Sequence, residues 1–347
     1  LPAARTAKIV VAEVNSNMPR THGDSFMHVN EIDYFVHSDR ELMTIERSPF
    51  TEVEDAIGSY VNTLIKDGDT LQMGIGAIPD AILHYLKGKR DLGIHTEMFT
   101  DSMKTMFEAG IATGRYKTID RCKMVLSFAI GTRDTYEFLR ENPLIATYPC
   151  RYTNDPYTIA RNERVISINN SLSIDLLGQV NAESSGPRHI SGPGGQLEFV
   201  QGARLSPGGK SFLCLNSTYT DKAGNMQSRI VPMLAAGSAV TTPRASVDYI
   251  VTEYGMARLK GLPTWERAES LIAGEAATAL EAASARGVHH LRIAPEEVFR
   301  SAEGTVKVRG LATAAALARV EEDSAAAART DAIGLVALTY AAWALSV

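Results

Sequence analysis

The feature that most constrains the fold is a rapid alternation of short apolar runs with amphipathic segments between residues 50 and 170. FTEVEDAIGSYVNTLIK (50–66) has apolar residues at helical spacing and ends at the DGD of 67–69. TLQMGIG (70–76) predicts a strand followed by a glycine turn, IPDAILHYLKG (78–88) a helix, and KMVLSFAI (123–130) another strand. Strands that alternate with helices at this pace predict an open α/β sheet in which most strands are parallel.

The two ends of the chain differ from this middle part. KIVVAEV (8–14) and IDYFV (32–36) are β-branched or aromatic runs and predict two early strands. The passage ESSGPRHISGPGGQ (183–196) is rich in glycine, serine and proline. After it, SFLCLNSTY (211–219), RIVPML (229–234), SAVTT (238–242) and VDYIVTEYG (247–255) read as β-rich. From residue 273 the sequence is dominated by alanine, which predicts a helical C-terminal tail over 273–347.

Composition and charge exclude several classes of function. The net charge of −5 over 347 residues gives no reason to expect a nucleic-acid partner. Cys122, Cys150 and Cys214 stand far apart and form no metal-binding pattern, so they are expected to be the reduced thiols of a cytoplasmic protein. The apolar tract at 334–347 is shorter than the ~20 residues that span a bilayer, and no leader opens the chain, so no membrane association or secretion is expected.

Two glycine-rich stretches are candidate ligand loops. In MGIGAIPDAIL (73–83) a turn between a strand and a helix can bring backbone amides to a phosphate, although a plain tight turn explains it equally well. Pro79 stands where a dinucleotide fingerprint needs its third glycine, which argues against NAD. The loop SGPGGQLEF (191–199) can aim amides at an oxyanion, but the residues alone slightly favour a hairpin turn.

Four polar side chains have a structural and a chemical interpretation. Glu97 in DLGIHTEMFTD (91–101) follows a predicted strand, where it is either a nucleophile or a first-turn acid of a helix capped by Thr96, and taken alone the capping interpretation is favoured. Asn154 is either a turn residue or a side-chain donor, and Lys222 is either a solvated charge or a phosphate ligand. Glu183 competes with Glu97 as the nucleophile.

Two other kinds of catalytic site are not expected. The scattered histidines lack co-ligands, so we expect no metal, and no GxSxG motif offers an activated serine.

Six segments together carry a family resemblance. They are EVNSNMPRTHGDSFMHVNEIDYFV (13–36), GDTLQMGIGAIPDAIL (68–83), LGIHTEMFTD (92–101), GQVNAES (178–184), SGPGGQLEF (191–199) and VTEYGMARLKG (251–261). In this order and spacing they resemble the acetyl-CoA hydrolase/transferase family, and within it the butyryl-CoA:acetate and 4-hydroxybutyrate CoA-transferases. The similarity runs from about residue 7 to about residue 272.

The resemblance implies a fold of two open, mostly parallel α/β domains of CoA-transferase type. The N-terminal domain is expected to be truncated. We therefore assign residues 1–50 to the remainder of that domain, 51–272 to the C-terminal CoA-transferase domain, and 273–347 to the alanine-rich tail. Relatives commonly self-associate, so a homo-oligomer is expected.

The resemblance also assigns the site residues. It implies that Glu97 is the nucleophile that forms a glutamyl-CoA thioester, and that Asn154 and the glycine loop, with Gly194, hold the acyl oxygen. The residues expected to bind CoA are Gly74, Ile75, Gly76, Ala77 and Ile78 of the first glycine turn, together with Gly192, Gly195 and Lys222. Glu253 of VTEYG is expected to support the reacting centre.

The predicted function is transfer of CoA between a short-chain acyl-CoA and a carboxylic acid such as acetate. No cofactor is expected to stay bound, and CoA is a co-substrate. A carboxylate nucleophile suits this reaction because it keeps the acyl group activated as an anhydride and then as a thioester. Two alternatives remain open at this level, an acyl-CoA hydrolase on the same scaffold and an inactive fragment that binds CoA.

Overall fold

The computed structural model describes residues 1–45, 49–74 and 76–272, and the backbone of 298–300 and 306–308. The chain divides into two compact units, one formed by Leu1–Asn169 with Gly194–Phe212 and the other by Asn170–Pro193 with Leu213–Val347. The helices whose two ends both lie among the described residues are α1 (Pro2–Thr6), α2 (Glu52–Leu64), α3 (Ala77–Tyr85), α4 (Asp101–Glu108), α5 (Arg133–Leu139), α6 (Cys150–Thr153), α7 (Pro156–Ala160) and α8 (Gln196–Leu205).

Parallel strand pairing characterises the first unit. Its strands are β1 (Val11–Asn15), β2 (Tyr34–Ser38), β3 (Thr70–Met73), β4 (Gly93–Ile94), β5 (Met98–Phe99), β6 (Met124–Leu126), β7 (Phe128–Ala129), β8 (Ile145–Thr147) and β9 (Val165–Asn170), whose last residue already belongs to the second unit. Strand β3 pairs with β4 on one side and with β9 on the other, and β1 with β2, β5 with β7 and β6 with β8 are also parallel. This pairing confirms the α/β prediction for the middle of the chain.

Helix α2 forms where the spacing of apolar residues predicts it. Thr51 and Glu54 form a capping box, in which the Thr51 hydroxyl accepts from Val53 N at 3.3 Å and the Glu54 carboxylate accepts from Thr51 N at 2.9 Å. The buried face of the helix presents Ile57 and Val61 to the core. At Gly58 an added Cβ would lie 3.0 Å from the backbone of Ala81, so α2 packs tightly against α3 and a larger residue would push the two helices apart by a few tenths of an ångström.

Helix α8 is fixed by a small apolar cluster. Ile159, Val165, Phe199 and Ala203 pack together, and none is more than 1% exposed. Gly202 lies against Ile159, because an added Cβ would be 2.6 Å from the Ile159 Cβ. The close approach of α7 and α8 fixes the start of α8 at Gly195, which is the residue at its N-cap.

Strands β1 and β2 form as their β-branched and aromatic residues predict, but their side chains are largely exposed. Val11 is 60% exposed and Tyr34 61%, although parallel strands usually have both faces covered. The segment before β3 is joined to the rest of its unit by backbone hydrogen bonds, which include Thr147 N to His22 O at 2.7 Å and Ile45 N to Gly131 O at 3.1 Å.

The second unit is richer in antiparallel pairs. Its strands are β10 (Ser173–Asp175), β11 (Val180–Asn181), β12 (Ser184–Ser185), β13 (Arg188–His189), the end of β14 (Lys210–Cys214), β15 (Thr218–Thr220), β16 (Met226–Ser228), β17 (Ile230–Val231), β18 (Tyr249–Thr252), β19 (Gly255–Arg258), β20 (Val298–Arg300) and β21 (Val306–Val308). Strand β10 is parallel to β17, whereas β10–β11, β12–β13, β15–β16, β18–β19 and β20–β21 are antiparallel. The β-rich prediction is confirmed for SFLCLNSTY, RIVPML and VDYIVTEYG, whereas SAVTT (238–242) lies in no strand and has only an isolated bridge at Thr242.

Several local predictions need correction. The run KMVLSFAI forms two strands, β6 and β7, with Ser127 between them. The loop SGPGG is followed by helix α8, so the hairpin interpretation of that segment is wrong. The alanine-rich stretches of the predicted helical tail, 274–287 and 310–328, lie outside the described residues, and the described pieces of the tail, β20 and β21, are strands. The predicted boundary at residue 50 stays a prediction.

Candidate active site

Glu97 lies between two short strands, at the carboxyl end of the parallel pair β3 and β4. The strand path continues beyond β4, because His95 N donates to Leu71 O at 3.0 Å and Thr96 N donates to Val125 O at 3.0 Å. The Glu97 carbonyl then accepts two backbone hydrogen bonds, from Ser127 N at 2.9 Å and Phe128 N at 3.1 Å. The Glu97 side chain is half-buried. A carboxylate is thus held at the sheet edge where α/β proteins assemble their sites.

The capping interpretation of this segment is wrong. Helix α4 has its N-cap at Thr100, and β5 separates that residue from Thr96. The Thr96 hydroxyl instead donates to Met98 O at 3.1 Å and to Met73 O at 3.4 Å. Glu97 is therefore not a first-turn acid of this helix, and the structural alternative to a chemical role loses its support.

Asn154 lies at the junction of two short helices. It is the C-cap of α6, and the next residue, Asp155, caps α7 by accepting from Thr158 N at 2.8 Å. The Asn154 Oδ1 atom is buried and has no hydrogen-bond partner among the described residues. Asn154 is thus both the turn residue and a side chain directed inward, so the two interpretations of this residue are compatible.

Gly195 brings Glu97 and Asn154 together. A Cβ atom on Gly195 would lie 2.6 Å from Asn154 Nδ2 and 3.2 Å from Glu97 Cδ, and it would overlap Glu97 Oε2. The backbone of Gly195 has φ −93° and ψ 12°, which other residues also adopt. A larger residue here would have to displace both side chains, because the carboxylate, the amide and the start of α8 meet at one point.

The first glycine turn lies beside this point. Gly76 is the N-cap of α3 with φ 108°, a conformation that favours glycine. Gly74 N donates to Ile168 O at 3.0 Å, and Gly74 directly follows Met73, whose carbonyl accepts from Thr96. Ala77 and Ile78 form the first turn of α3, whereas Ile75 lies outside the described residues. The turn joins a strand end to a helix N-terminus, as the phosphate-binding interpretation requires.

Three further predicted site residues are Gly194, Gly192 and Lys222. Gly194 has φ 56°, and an added Cβ would meet no atom within 4 Å, so the structure places Gly195 and not Gly194 against the two side chains. Gly192 and Lys222 belong to the second unit, where both are exposed and Lys222 lies in the turn between β15 and β16. The roles predicted for these three residues stay predictions.

The two acids of the second unit to which the sequence gave a chemical interpretation are Glu183 and Glu253. The backbone carbonyl of Glu183 accepts from Ile190 N at 2.7 Å and from Ser191 N at 3.2 Å, and its side-chain Oε2 is buried without a partner among the described residues. Glu253 accepts from Ser217 N at 2.8 Å and from the Ser217 hydroxyl at 2.6 Å. Glu253 thus fixes the loop after β14.

Sequence reasoning did not single out His95. It is 1% exposed, and its ring nitrogens contact Thr153 O at 2.9 Å and Asn162 Nδ2 at 3.5 Å. Burial, together with the nearby Lys117 ammonium, lowers the pKa of His95 to about 3, although the hydrogen bond to Thr153 opposes this shift. His95 is therefore neutral at physiological pH. The one feature of the sequence that could have pointed to His95 is its position two residues before Glu97.

The described residues were also compared with the patterns of metal sites, membrane-spanning helices and disulfides. Within 1–45, 49–74 and 76–272, no three His, Cys, Asp or Glu side chains group closely enough to hold a metal ion. No helix in the same ranges has the length and apolar character needed to cross a bilayer. Cys122, Cys150 and Cys214 are free, and burial raises the pKa of the Cys214 thiol.

Comparison with known proteins gives a consistent result. Residues 131–279 match the acetyl-CoA hydrolase/transferase C-terminal domain, and residues 2–46 match the N-terminal domain of the same family. The 4-hydroxybutyrate coenzyme A transferase of Clostridium kluyveri is 49% identical over 272 residues, which are 78% of this chain and 62% of that protein. The butyryl-CoA:acetate CoA-transferase of Anaerostipes caccae is 46% identical over 77% of this chain and 61% of its own length.

Solved structures agree with these matches. The 4-hydroxybutyrate CoA-transferase of Porphyromonas gingivalis superposes with a TM-score of 0.68 at 41% identity, over 82% of this chain and 68% of that one. RipA from Yersinia pestis superposes with a TM-score of 0.72 at 38% identity, over 82% of this chain and 65% of that one. The chain spans about three fifths of the length of the transferases it matches in sequence.

Proposed function

Because the chain belongs to the acetyl-CoA hydrolase/transferase family, we propose that it moves CoA between a short-chain acyl-CoA and a carboxylic acid such as acetate. The observation that carries the proposal is the meeting of the Glu97 carboxylate and the Asn154 amide at Gly195. A carboxylate nucleophile beside an amide donor is the pair that acyl transfer through an anhydride needs. The names of relatives from Clostridium kluyveri and Anaerostipes caccae support the same substrate classes.

The first half-reaction loads CoA onto the protein. A Glu97 oxygen attacks the thioester carbonyl carbon, the carbon–sulfur bond breaks, and a mixed anhydride forms while CoA leaves as its thiolate. The thiolate then attacks the Glu97 side-chain carbonyl carbon. The bond to the acyl group's oxygen breaks, the first acid departs as a carboxylate, and Glu97 is left as the glutamyl-CoA thioester. One negative charge is present at every stage, so no proton has to be moved.

The second half-reaction reverses these steps with a new acid. The incoming carboxylate attacks the glutamyl thioester, which releases CoA thiolate and forms the second anhydride. The thiolate attacks the acyl carbonyl of that anhydride, yielding the new acyl-CoA and restoring the Glu97 carboxylate. The cycle is therefore a ping-pong reaction that needs no external energy source.

Each attack creates an oxyanion, and Asn154 is suited to stabilise it. Its Nδ2 group lies at the point where Glu97 faces Gly195, and one well-placed donor is worth roughly 3 kcal/mol in such a site. The N-terminus of α8 begins at Gly195, and the positive end of its dipole also favours negative charge there.

Binding of CoA is assigned to the two glycine loops. The turn from Gly74 to Ile78 offers a strand end and a helix N-terminus to the phosphates. Gly192 and Gly195 would let CoA approach the backbone closely, and the Lys222 ammonium would pair with a CoA phosphate. A homo-oligomer and a cytoplasmic location belong to the same proposal.

Acyl-CoA hydrolysis is the second candidate. The acetyl-CoA hydrolase of Eremothecium gossypii is 29% identical over 58% of this chain and 37% of its own length. The Glu97 side chain is half-buried and not fully enclosed, and water that reaches the anhydride would hydrolyse it. The two activities are separated by whether the acyl-CoA is consumed without added acetate.

Intact-mass analysis after treatment with acyl-CoA tests the proposal. The wild-type chain and Glu183→Gln are expected to gain a CoA-sized adduct that hydroxylamine removes, whereas Glu97→Gln is expected to gain none. An adduct that persists in Glu97→Gln and disappears in Glu183→Gln would transfer the nucleophile to Glu183. An unchanged wild-type mass together with no exchange between acyl-CoA and acetate would favour an inactive CoA-binding fragment.

A further inference from the structure

The two side chains of the candidate site come from distant parts of the sequence, and their relative position has to be maintained. Glu97 follows β4, whereas Asn154 ends α6. Among the described residues, no hydrogen bond joins the Glu97 side chain to the Asn154 side chain. Thr153, the residue before Asn154, is instead tied to the Glu97 segment twice, once through its hydroxyl and once through its backbone carbonyl.

The first tie passes through Ser127. Its backbone N–H donates to Glu97 O at 2.9 Å, and its hydroxyl is hydrogen-bonded to the Thr153 hydroxyl. The Thr153 hydroxyl also lies 3.4 Å from Pro149 O, within its own helix α6. Ser127 therefore couples the Glu97 backbone to the last turn of α6.

The second tie is the side chain of His95. A carbonyl oxygen can only accept, so the 2.9 Å contact with Thr153 O requires a proton on His95 Nε2. The other nitrogen, Nδ1, then accepts from Asn162 Nδ2 at 3.5 Å, which selects this tautomer. Asn162 is itself fixed, because its Oδ1 accepts from Ile119 N at 3.3 Å and its carbonyl accepts from the Ser206 hydroxyl at 2.7 Å.

Burial makes the His95 tie rigid. His95 is 1% exposed, and Thr153 and Asn162 are fully buried. The imidazole packs edge-on against Phe199 of α8, with the ring centroids 6.2 Å apart. A buried hydrogen bond of this kind has no water to exchange with, so losing it leaves the Thr153 carbonyl unpaired and releases the chain at Asn154.

We propose that His95 is a positioning residue that acts through Thr153 to hold the Asn154 amide against the Glu97 carboxylate. The expected effect of His95 on kcat rests on the proposed function, whereas its effect on the position of the Asn154 amide can be tested without turnover. His95 touches neither substrate nor reacting atoms. It maintains the distance between the nucleophile and the oxyanion donor, to which acyl transfer is sensitive.

The experiment compares His95→Leu, which removes the donor, with His95→Gln, which offers an amide N–H at a similar reach. In acyl-CoA:acetate exchange, we expect His95→Leu to lower kcat by a factor on the order of ten to a hundred with little change in the KM for acyl-CoA. His95→Gln is expected to recover most of that loss. Val61→Ala, a core truncation in α2, is the control for a general loss of stability, and its kcat is expected to stay within about twofold of wild type.

A double-mutant cycle separates positioning from a general structural effect. If His95 acts through Asn154, then His95→Leu should change kcat by less than about threefold in an Asn154→Ala background. An equal effect of His95→Leu in both backgrounds would overturn the proposal. So would a His95→Leu variant with the wild-type kcat.

A second measurement does not need an active protein. The side-chain amide resonances of Asn154, identified by their loss in Asn154→Ala, are expected to be sharp in wild type and His95→Gln and to shift or broaden in His95→Leu. Unchanged Asn154 resonances in His95→Leu would refute the positioning role, even if no CoA adduct forms and the proposed function itself has failed. If the Asn154 resonances change in His95→Leu but wild type forms no CoA adduct, the positioning role of His95 is supported and only the proposed transferase activity is contradicted.

Discussion

Replacement of Gly195 by alanine is the sharpest perturbation of the candidate site. The added methyl group would lie 2.6 Å from Asn154 Nδ2 and would overlap Glu97 Oε2. Ordinary van der Waals contact begins near 3.4 Å, so the amide has to retreat by at least about 0.8 Å and the carboxylate by more. The two side chains can move because the contacted atoms are the far ends of flexible side chains, but they then leave the point where they meet.

The expected loss of activity follows from this displacement. A misplacement of roughly 1 Å at a reacting centre costs on the order of a hundredfold in rate, which corresponds to about 3 kcal/mol of transition-state stabilisation. The fold should be little affected, because the backbone conformation of Gly195 suits alanine and the reduced freedom of the unfolded chain offsets the weaker N-cap. We expect the free energy of unfolding to change by less than about 1 kcal/mol.

The assay is acyl-CoA:acetate exchange, measured as kcat/KM beside a urea unfolding curve for each variant. Gly88→Ala is the matched control, because an added Cβ at Gly88 meets no atom within 4 Å. Its exchange rate should equal that of wild type. A Gly195→Ala variant that exchanges CoA within threefold of wild type would refute the site geometry, and so would one that loses activity only because it unfolds.

Three further predictions concern stability and binding. The pKa of His95 is lowered from 6.5 to about 3, so the folded state binds fewer protons than the unfolded state between these values, and stability is lost as the pH falls through that window. The free energy of unfolding should therefore drop by about 2 kcal/mol more in wild type than in His95→Gln between pH 6.5 and pH 5, as urea titrations would show. Thr51→Ala removes the α2 cap and should cost about 1 kcal/mol in the same titration without altering exchange. Gly76→Ala strains a residue with φ 108° and should raise the KM for acyl-CoA more than it lowers kcat.

Much of the first unit could be predicted from local patterns. Helix α2 follows its apolar spacing and its capping box, and β3 with α3 follows the strand, glycine turn and helix of residues 70–88. These elements are determined by residues close in sequence, which is why periodicity and capping rules identify them. The exposed faces of β1 and β2 could not be predicted in this way, because a β-branched run indicates a strand but not what covers it.

The arrangement of the candidate site depends on contacts that no local pattern reports. The requirement for glycine at position 195 comes from Glu97 and Asn154, which lie 98 and 41 positions earlier in the chain. The role proposed for His95 depends on its hydrogen bond to the backbone carbonyl of Thr153. Every residue has such a carbonyl, so the sequence gives no sign of this contact. The family resemblance predicted Glu97 and Asn154 as site residues, whereas the contact of His95 with Thr153 could be found only in the coordinates.

Two neighbouring strand paths are both interrupted at the level of Glu97. The segment from β4 to β5 is interrupted at His95–Glu97, and the segment from β6 to β7 is interrupted at Ser127. At this level two successive amides, of Ser127 and Phe128, both donate to the single carbonyl of Glu97, as in a β-bulge. The bulged path is the one from β6 to β7, and Glu97 is the single residue opposite it, so the alternation of side chains fails at Ser127 and Phe128. The bulge depends on hydrogen bonds to a segment about thirty residues earlier, and the apolar run KMVLSFAI carries no sign of it. The sequence therefore predicts one continuous strand where the structure has two, and the interruption lies beside the candidate nucleophile.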